Sequence, residues 1–133
     1  MQARPTYIIC TAVLLTGALA LAGQERVKPA DLEAARARIP SAAHVLENPF
    51  ANRSEAVPAG KKLFKRHCAE CHGAEAGGSE RAPNLRVAGL REASHGDFFW
   101  MIRNGNMKKG MPSWSRLPDQ QIWQLVAYLK TLL

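Results

Sequence analysis

Cys68-Ala69-Glu70-Cys71-His72 is the stretch that decides the fold of this 133-residue chain. Two thiols three residues apart can each bond to one vinyl group of a porphyrin, and the imidazole that follows them is then placed under the iron. The pattern C-x-x-C-H therefore indicates a c-type haem attached through Cys68 and Cys71, with His72 as an axial iron ligand. A zinc half-site or a redox-active dithiol is the alternative interpretation of the two cysteines.

The remaining cysteine bears on these alternatives. Zinc needs four ligands, and Cys10, which lies in an N-terminal apolar run, is the only other cysteine in the sequence. No second C-x-x-C can therefore complete a zinc site, which favours haem. Because haem attachment uses both thiols of the motif, we expect no disulfide framework.

The first 22 residues have the pattern of an export signal. Arg4 precedes an apolar run over 7–22, and Ala20-Leu21-Ala22 offers a small-x-small cleavage site. We predict that 1–22 is a signal peptide and that the protein is exported to the bacterial periplasm. The run of about 16 apolar residues falls just short of a membrane span, so an uncleaved N-terminal anchor with membrane association is the alternative.

The chain is basic, with 18 Lys+Arg against 11 Asp+Glu and a net charge of +7. Composition alone permits a nucleic-acid binder. An exported haem protein has little access to nucleic acid, so we do not expect nucleic acid as a partner. The charge instead favours solubility and steering toward a redox protein partner with an acidic docking face.

Apolar residues recur at helical spacing in three segments. The first predicted helix runs from Pro58 into Cys68. The second opens with a capping box at 94–97 and ends at Gly105. The third runs from Asp119 to the end of the chain. No alternating strand pattern of useful length occurs, so the sequence predicts an all-α protein.

The helices and the loops between them, 73–93 and 105–117, place one packed domain at 54–133. A core of about 80 residues normally needs a staple, and a covalent haem would supply one. Residues 23–53 contain three prolines and few apolar residues, which indicates a linker or a surface wrap with a short helix over 30–38. His44 in this extension is expected to be an exposed polar residue.

With these features in place, residues 54–133 resemble the class I monohaem cytochrome c family. The order of elements matches: a helix into the haem motif, a proline loop, a short helix, a Met-Pro loop and a C-terminal helix. The resemblance implies the cytochrome c fold around one covalently bound haem c. It also implies that Gly60 and Phe64 contact Leu125 and Tyr128, because glycine lets two backbones approach closely.

The resemblance also supplies the other site residues. Pro83-Asn84-Leu85 is similar to the family loop whose proline carbonyl accepts a hydrogen bond from the haem-ligating histidine, which places Pro83 and Leu85 in the cofactor site. The family's second iron ligand is a methionine followed by proline, and Met111-Pro112 matches this pattern. The alternatives for this position are Met101, Met107 and, in a bis-histidine site, His44, His67 or His95.

A haem iron with two protein ligands has no open coordination position, so it suits single-electron transfer. We therefore expect an electron carrier that is not itself an enzyme. A cytochrome subunit of a dehydrogenase or oxidase complex is the first alternative, since Met111-Pro112-Ser113-Trp114 looks similar to the cytochrome domains of such systems. A gas- or peroxide-binding haem protein is the second. Pro118 departs from the family, whose members tend to place a hydroxyl residue there to cap the last helix.

Overall fold

The computed structural model describes residues 29–133, and the predictions for 1–22 and Cys10 lie outside these residues. Two 3-10 turns, Ala88–Leu90 and Met107–Lys109, interrupt the loops. None of the helices within 29–133 has the length and apolar composition needed to cross a membrane. The described residues contain no strand, which confirms the all-α prediction, and their helices are α1 Pro29–Arg36, α2 Ser41–His44, α3 Ala56–His67, α4 Ala69–His72, α5 His95–Asn104 and α6 Asp119–Lys130.

The seam between α3 and α6 is the centre of the core. A β-carbon at Gly60 would lie 1.9 Å from the backbone oxygen of Gln124, so only glycine allows the two helices to approach this closely. Phe64 and Tyr128 fill the space beside it, with their ring centroids 5.5 Å apart. The predicted contact of Gly60 and Phe64 with α6 is therefore present. Burial of Phe64 and Leu125, which are almost fully covered, stabilises the seam by about 1.5–3 kcal/mol each.

The second long helix, α5, begins and ends as predicted. The Ser94 hydroxyl accepts a hydrogen bond from the Asp97 N–H, and the Asp97 carboxylate accepts one from the Ser94 N–H. Gly105 follows the helix with a φ of 69°, a left-handed conformation that favours glycine. Phe99 stacks on Trp123 with a centroid distance of 4.1 Å, so α5 is packed against α6.

The last helix begins at Asp119 without a side-chain cap. The carbonyl oxygen of Pro118 accepts hydrogen bonds from the N–H groups of Gln121 and Ile122. Proline also has the extended conformation that suits a residue just before a helix, with φ −55° and ψ 142°. The departure from the family pattern at this position therefore leaves the start of the helix in place.

The extension over 29–53 packs against the domain. Ile39 and Ala43 are buried, and the Asn48 side chain donates a hydrogen bond of 2.8 Å to the carbonyl oxygen of Trp123. Of the two interpretations that the sequence left open, the surface wrap describes these residues, because Ile39 and Ala43 are covered by the domain, while Val45 and Leu46 stay exposed. Residues 23–28 of the predicted extension lie outside the described part, and the domain boundary itself stays a prediction.

His44 is exposed, as the sequence predicts, but its ring also makes a long-range contact. Its Nδ1 lies 2.5 Å from Oδ1 of Asp97, whose side chain is only 4% exposed. This contact joins α2 to the first turn of α5. No signal in the sequence indicated this contact, because the partner of His44 is 53 residues away.

Candidate functional site

The Cys68–His72 motif occupies a tight turn at the end of α3. The Cys68 N–H donates to the Phe64 carbonyl and so caps α3, and the Cys68 carbonyl accepts hydrogen bonds from the N–H groups of Cys71 and His72. Cys68 is half-buried and Cys71 is exposed. Gly73, with a φ of 81°, ends the turn. Local backbone hydrogen bonding thus presents both thiols and the imidazole from one short segment.

The His72 ring is oriented by the loop that follows it. Its Nδ1–H donates a hydrogen bond of 2.9 Å to the carbonyl oxygen of Pro83, as the family resemblance implied. This contact leaves Nε2 available for a metal. Burial lowers the pKa of His72, and the hydrogen bond to Pro83 opposes this shift only in part. The imidazole is therefore kept in the neutral form that ligates iron.

The environment of Cys68 does not suit a redox-active dithiol. Burial, together with the neighbouring Cys71, raises the pKa of the Cys68 thiol to about 11, whereas reactive thiols have depressed pKa values. Within 29–133 no group of three or more His, Cys, Asp and Glu side chains could hold a metal ion. Neither the dithiol nor the zinc alternative is supported by the residues around the motif.

An apolar cleft opens beside the motif. The space between its lining residues, counting the open solvent at its mouth, is about 870 Å³, and its lining is mostly apolar, as is usual for a cofactor site. The core helices α3, α5 and α6 supply one part of its walls, including Phe64, Phe98, Ile102, Leu125 and Leu129. Four of the predicted site residues line it: Cys68, His72, Leu85 and Met111. Pro83 takes part through its hydrogen bond to His72.

Met111 reaches the cleft from a loop that is closed by a short backbone ladder. The Asn106 N–H donates to the Met111 carbonyl at 2.8 Å, and the Met111 N–H donates back at 3.1 Å. Met107, between them, is 71% exposed and does not line the cleft. Met101 of α5 does line it, so the structure retains Met101 and not Met107 as the rival to Met111.

The histidine alternatives lie elsewhere. His67 packs on Trp114, with ring centroids 5.0 Å apart, and His44 pairs with Asp97. Neither of them lines the cleft, and neither does His95. Among the histidines of the described residues, only His72 lines the cleft.

One wall of the cleft was missed by the sequence analysis. It is made by the extension, through Leu32, Ala35, Arg36 and Ile39. These positions have the i, i+3, i+4, i+7 spacing of one helix face, so the signal was present. It was overlooked because the stripe is short and lies among prolines and charged residues.

Among residues 29–133, Asp97 is the one acidic residue that lines the cleft. Burial acts to raise its pKa, but the hydrogen bonds from Ser94 and His44 outweigh burial, so the pKa of Asp97 falls below its ordinary value. The carboxylate is thus ionised at neutral pH, and its charge is balanced by groups of α5 and the extension.

The chemistry of this site fits haem. Two thiols lie on one turn, and the half-buried one lines the cleft, beside a neutral imidazole and a thioether in apolar surroundings. A family model described as cytochrome c oxidase, cbb3-type, subunit III matches residues 55–129. The chain is a class I monohaem cytochrome c of this family. Membership implies haem c as its cofactor.

Individual relatives of this cytochrome c differ in size. It is 32% identical to cytochrome c550 of Pseudomonas aeruginosa over 90 residues, which are 63% of this chain and 61% of that protein. It is 31% identical over 81 residues to quinohemoprotein alcohol dehydrogenase ADH-IIG of Pseudomonas putida, covering 60% of this chain and 11% of that protein. It is 42% identical over 60 residues to the cbb3-type cytochrome c oxidase subunit CcoP of Rubrivivax gelatinosus. This match covers 42% of this chain and 20% of that protein.

The fold of this cytochrome c also has a solved counterpart. Cytochrome CL from the marine methylotrophic bacterium Methylophaga aminisulfidivorans superposes with a TM-score of 0.56 at 27% identity. The superposition covers 64% of this chain and 58% of that one. The match confirms the predicted cytochrome c fold, and the chain spans about three fifths of this structure and of cytochrome c550.

Proposed function

We propose that this cytochrome carries single electrons between redox protein partners through one haem c bonded to Cys68 and Cys71. The observation that carries the proposal is the shared lining of one apolar cleft by Cys68, His72 and Met111. The half-buried thiol, an oriented imidazole and a thioether are then available to one cofactor. The chain is not itself an enzyme in this proposal, because both axial positions are filled by protein.

Each residue has a distinct task in the proposed site. Bound haem supplies a one-electron iron couple. His72 would hold the iron on one side, and the Pro83 carbonyl holds its ring and raises its basicity. The thioether of Met111 would be the second ligand and would favour a higher potential than a second histidine. Leu85 and the aromatic walls exclude water, which limits the solvent rearrangement that accompanies a change of charge.

The proposed partners have acidic docking faces. Lys61, Lys62, Lys65 and Arg66 are all exposed on α3, which leads directly into the haem motif, and Lys108 is exposed on the loop that carries Met111. The positive electrostatic potential of these side chains speeds encounters with a negatively charged partner. The proposal includes export to the periplasm, which rests on the signal-like pattern of 1–22.

A subunit of a larger dehydrogenase or oxidase complex is the second candidate. It is favoured by two relatives that are parts of much longer proteins, the alcohol dehydrogenase and the oxidase subunit CcoP. Purification of the tagged chain from its own cells distinguishes the two candidates. A stable larger subunit in constant proportion supports the complex, and a monomeric haem protein supports the free carrier.

Covalent attachment is tested by denaturation and acid-acetone extraction of the holoprotein. We expect the haem to remain with the polypeptide of the unaltered chain and of a Cys10→Ala control. The haem should be lost, or never incorporated, in a Cys68→Ala/Cys71→Ala variant, because no thiol remains to form a thioether. Haem that extracts freely from the unaltered protein, or a purified protein with zinc and no iron, would contradict the proposal.

A further inference from the structure

The end of α1 and the residues after it reach the loop that carries Met111. The Arg38 guanidinium donates a hydrogen bond of 3.3 Å from Nη2 to the carbonyl oxygen of Gly105. The same guanidinium lies over the Trp100 ring, 5.8 Å from its centroid. Lys109, in the same loop, donates from Nζ to Oδ1 of Asp31 at 3.3 Å. The extension and the loop are therefore joined at both ends of α1.

Apolar contacts hold the extension in place beneath these polar ones. Ile39 is only 8% exposed, and Leu32 sits so close to Gly89 that a β-carbon there would lie 2.7 Å from Cδ1 of Leu32. Both side chains also line the cleft. The extension thus contacts the cleft on one side and the Met111 loop on the other.

Gly105 is the point where the Met111 loop leaves α5. Its φ of 69° is left-handed, and a β-carbon there would lie 2.5 Å from the backbone of Pro112. The Asn106–Met111 bridge follows at once. A side chain that fixes the Gly105 carbonyl therefore restrains the first peptide of the loop whose closing places Met111 in the cleft.

We infer that residues 29–39 form a clamp that keeps the Met111 loop closed over the cleft, and that Arg38 is a positioning residue for Met111. The inference rests on the proposed function, in which Met111 is the distal ligand. A thioether is a weak ligand, and an outside ligand can replace it only when the loop opens. The apparent affinity for such a ligand is then scaled by the fraction of molecules that are open.

The test compares Arg38→Ala with Arg53→Ala in the full-length holoprotein. Arg53 is a matched control, because it is an exposed arginine of the same extension that lies over an aromatic ring, that of Phe50, at 5.9 Å. We expect Arg38→Ala to bind imidazole at the ferric iron roughly five-fold more tightly, the factor that about 1 kcal/mol produces. Arg38→Lys should recover part of the difference, since lysine can still donate to the carbonyl and lie over Trp100.

Amide hydrogen exchange supplies a second readout that does not depend on the iron. The N–H groups of Asn106 and Met111 should exchange faster in Arg38→Ala than in Arg53→Ala, because both are protected by the loop bridge. If Arg38→Ala matches the control in imidazole affinity and in exchange, the clamp is wrong, while a sulfur-to-iron band in the unaltered protein leaves the proposed function intact. If that band is absent from the unaltered protein, Met111 ligation fails, and faster exchange in Arg38→Ala still supports the clamp.

Discussion

The two segments that supply the proposed iron ligands are held in different ways. His72 is fixed by contacts within its own neighbourhood, since its backbone bonds to Cys68 and its ring bonds to Pro83, 11 residues away. The Met111 loop is held partly by an extension more than 60 residues earlier, through Arg38 and Asp31. A strong ligand on a covalent motif needs only local order. A weak thioether ligand on a loop, as proposed for Met111, would benefit from long-range support, because each opening of the loop would expose the iron.

The largest effect is expected from removing the proposed distal ligand itself. Met111→Ala should abolish the weak ferric sulfur-to-iron absorption band, lower the potential and open the iron to exogenous ligands, because no other group of the loop replaces the thioether. Optical spectra of the ferric protein report the band, titration with imidazole or cyanide reports the access of outside ligands to the iron, and potentiometry reports the potential. Met107→Ala should keep the band, since its side chain is exposed.

Met101 provides the sharper control, because it also lines the cleft. Met101→Leu conserves volume and should cost little stability while leaving the band in place. Loss of the band in Met101→Leu, with retention in Met111→Ala, would move the distal ligand to α5 and remove the contrast between a local and a long-range ligand segment.

The next effect concerns the contact between the extension and α5. The folded protein lowers the pKa of Asp97 below its ordinary value of 3.8, so the ionised carboxylate favours folding. This contribution is fully present above pH 3.8 and is lost as the pH falls through the lower pKa of the folded protein. Asp97→Asn should therefore reduce the free energy of unfolding at pH 7 by about 1–3 kcal/mol, because the donors of Ser94 and His44 lose a charged partner.

Denaturant unfolding of the holoprotein at pH 7 and near pH 3 measures this loss of stability. The free energy of unfolding of Asp97→Asn should fall furthest below that of the unaltered protein at pH 7, and the difference should shrink in acid. Glu70→Gln is the control, since Glu70 pairs with Arg81 at an exposed site where ion pairs contribute little. An equal deficit at both pH values would mean that the contact acts through packing and not through charge.

The smallest effect is expected from the surface charges. It shows whether the segment that leads into His72 or the Met111 loop faces a partner. Electron transfer with an acidic redox protein should slow as ionic strength rises, because exposed charges are screened within about 10 Å at 0.1 M salt. Lys62→Glu on α3 and Lys108→Glu on the Met111 loop reverse one charge each, and stopped-flow rates show which change weakens the salt dependence more. If the electron-transfer rate is independent of ionic strength in the unaltered protein and in both variants, these lysines contribute to solubility and not to docking.

The sequence by itself determined the parts of this cytochrome that depend on neighbouring residues. The spacing of Cys68, Cys71 and His72 predicted the cofactor, the capping box at 94–97 predicted the start of α5, and helical periodicity predicted α3 and α6. The glycine seam at Gly60 followed from the family resemblance. Apart from the seam, each of these signals is carried within one helix or turn, where backbone hydrogen bonds and local side-chain spacing decide the conformation.

Only the tertiary structure decided which side chains share the cleft. It distinguished Met111 and Met101, which line the cleft, from the exposed Met107. It paired His44 with Asp97, and it showed that part of the extension, predicted as a linker or a surface wrap, forms a wall of the cleft. These outcomes depend on contacts between residues 50 to 80 positions apart, such as Arg38 with Gly105 and Asp31 with Lys109. A side chain's partner across such a distance is set by how the helices pack, and helix periodicity alone carries no information about that.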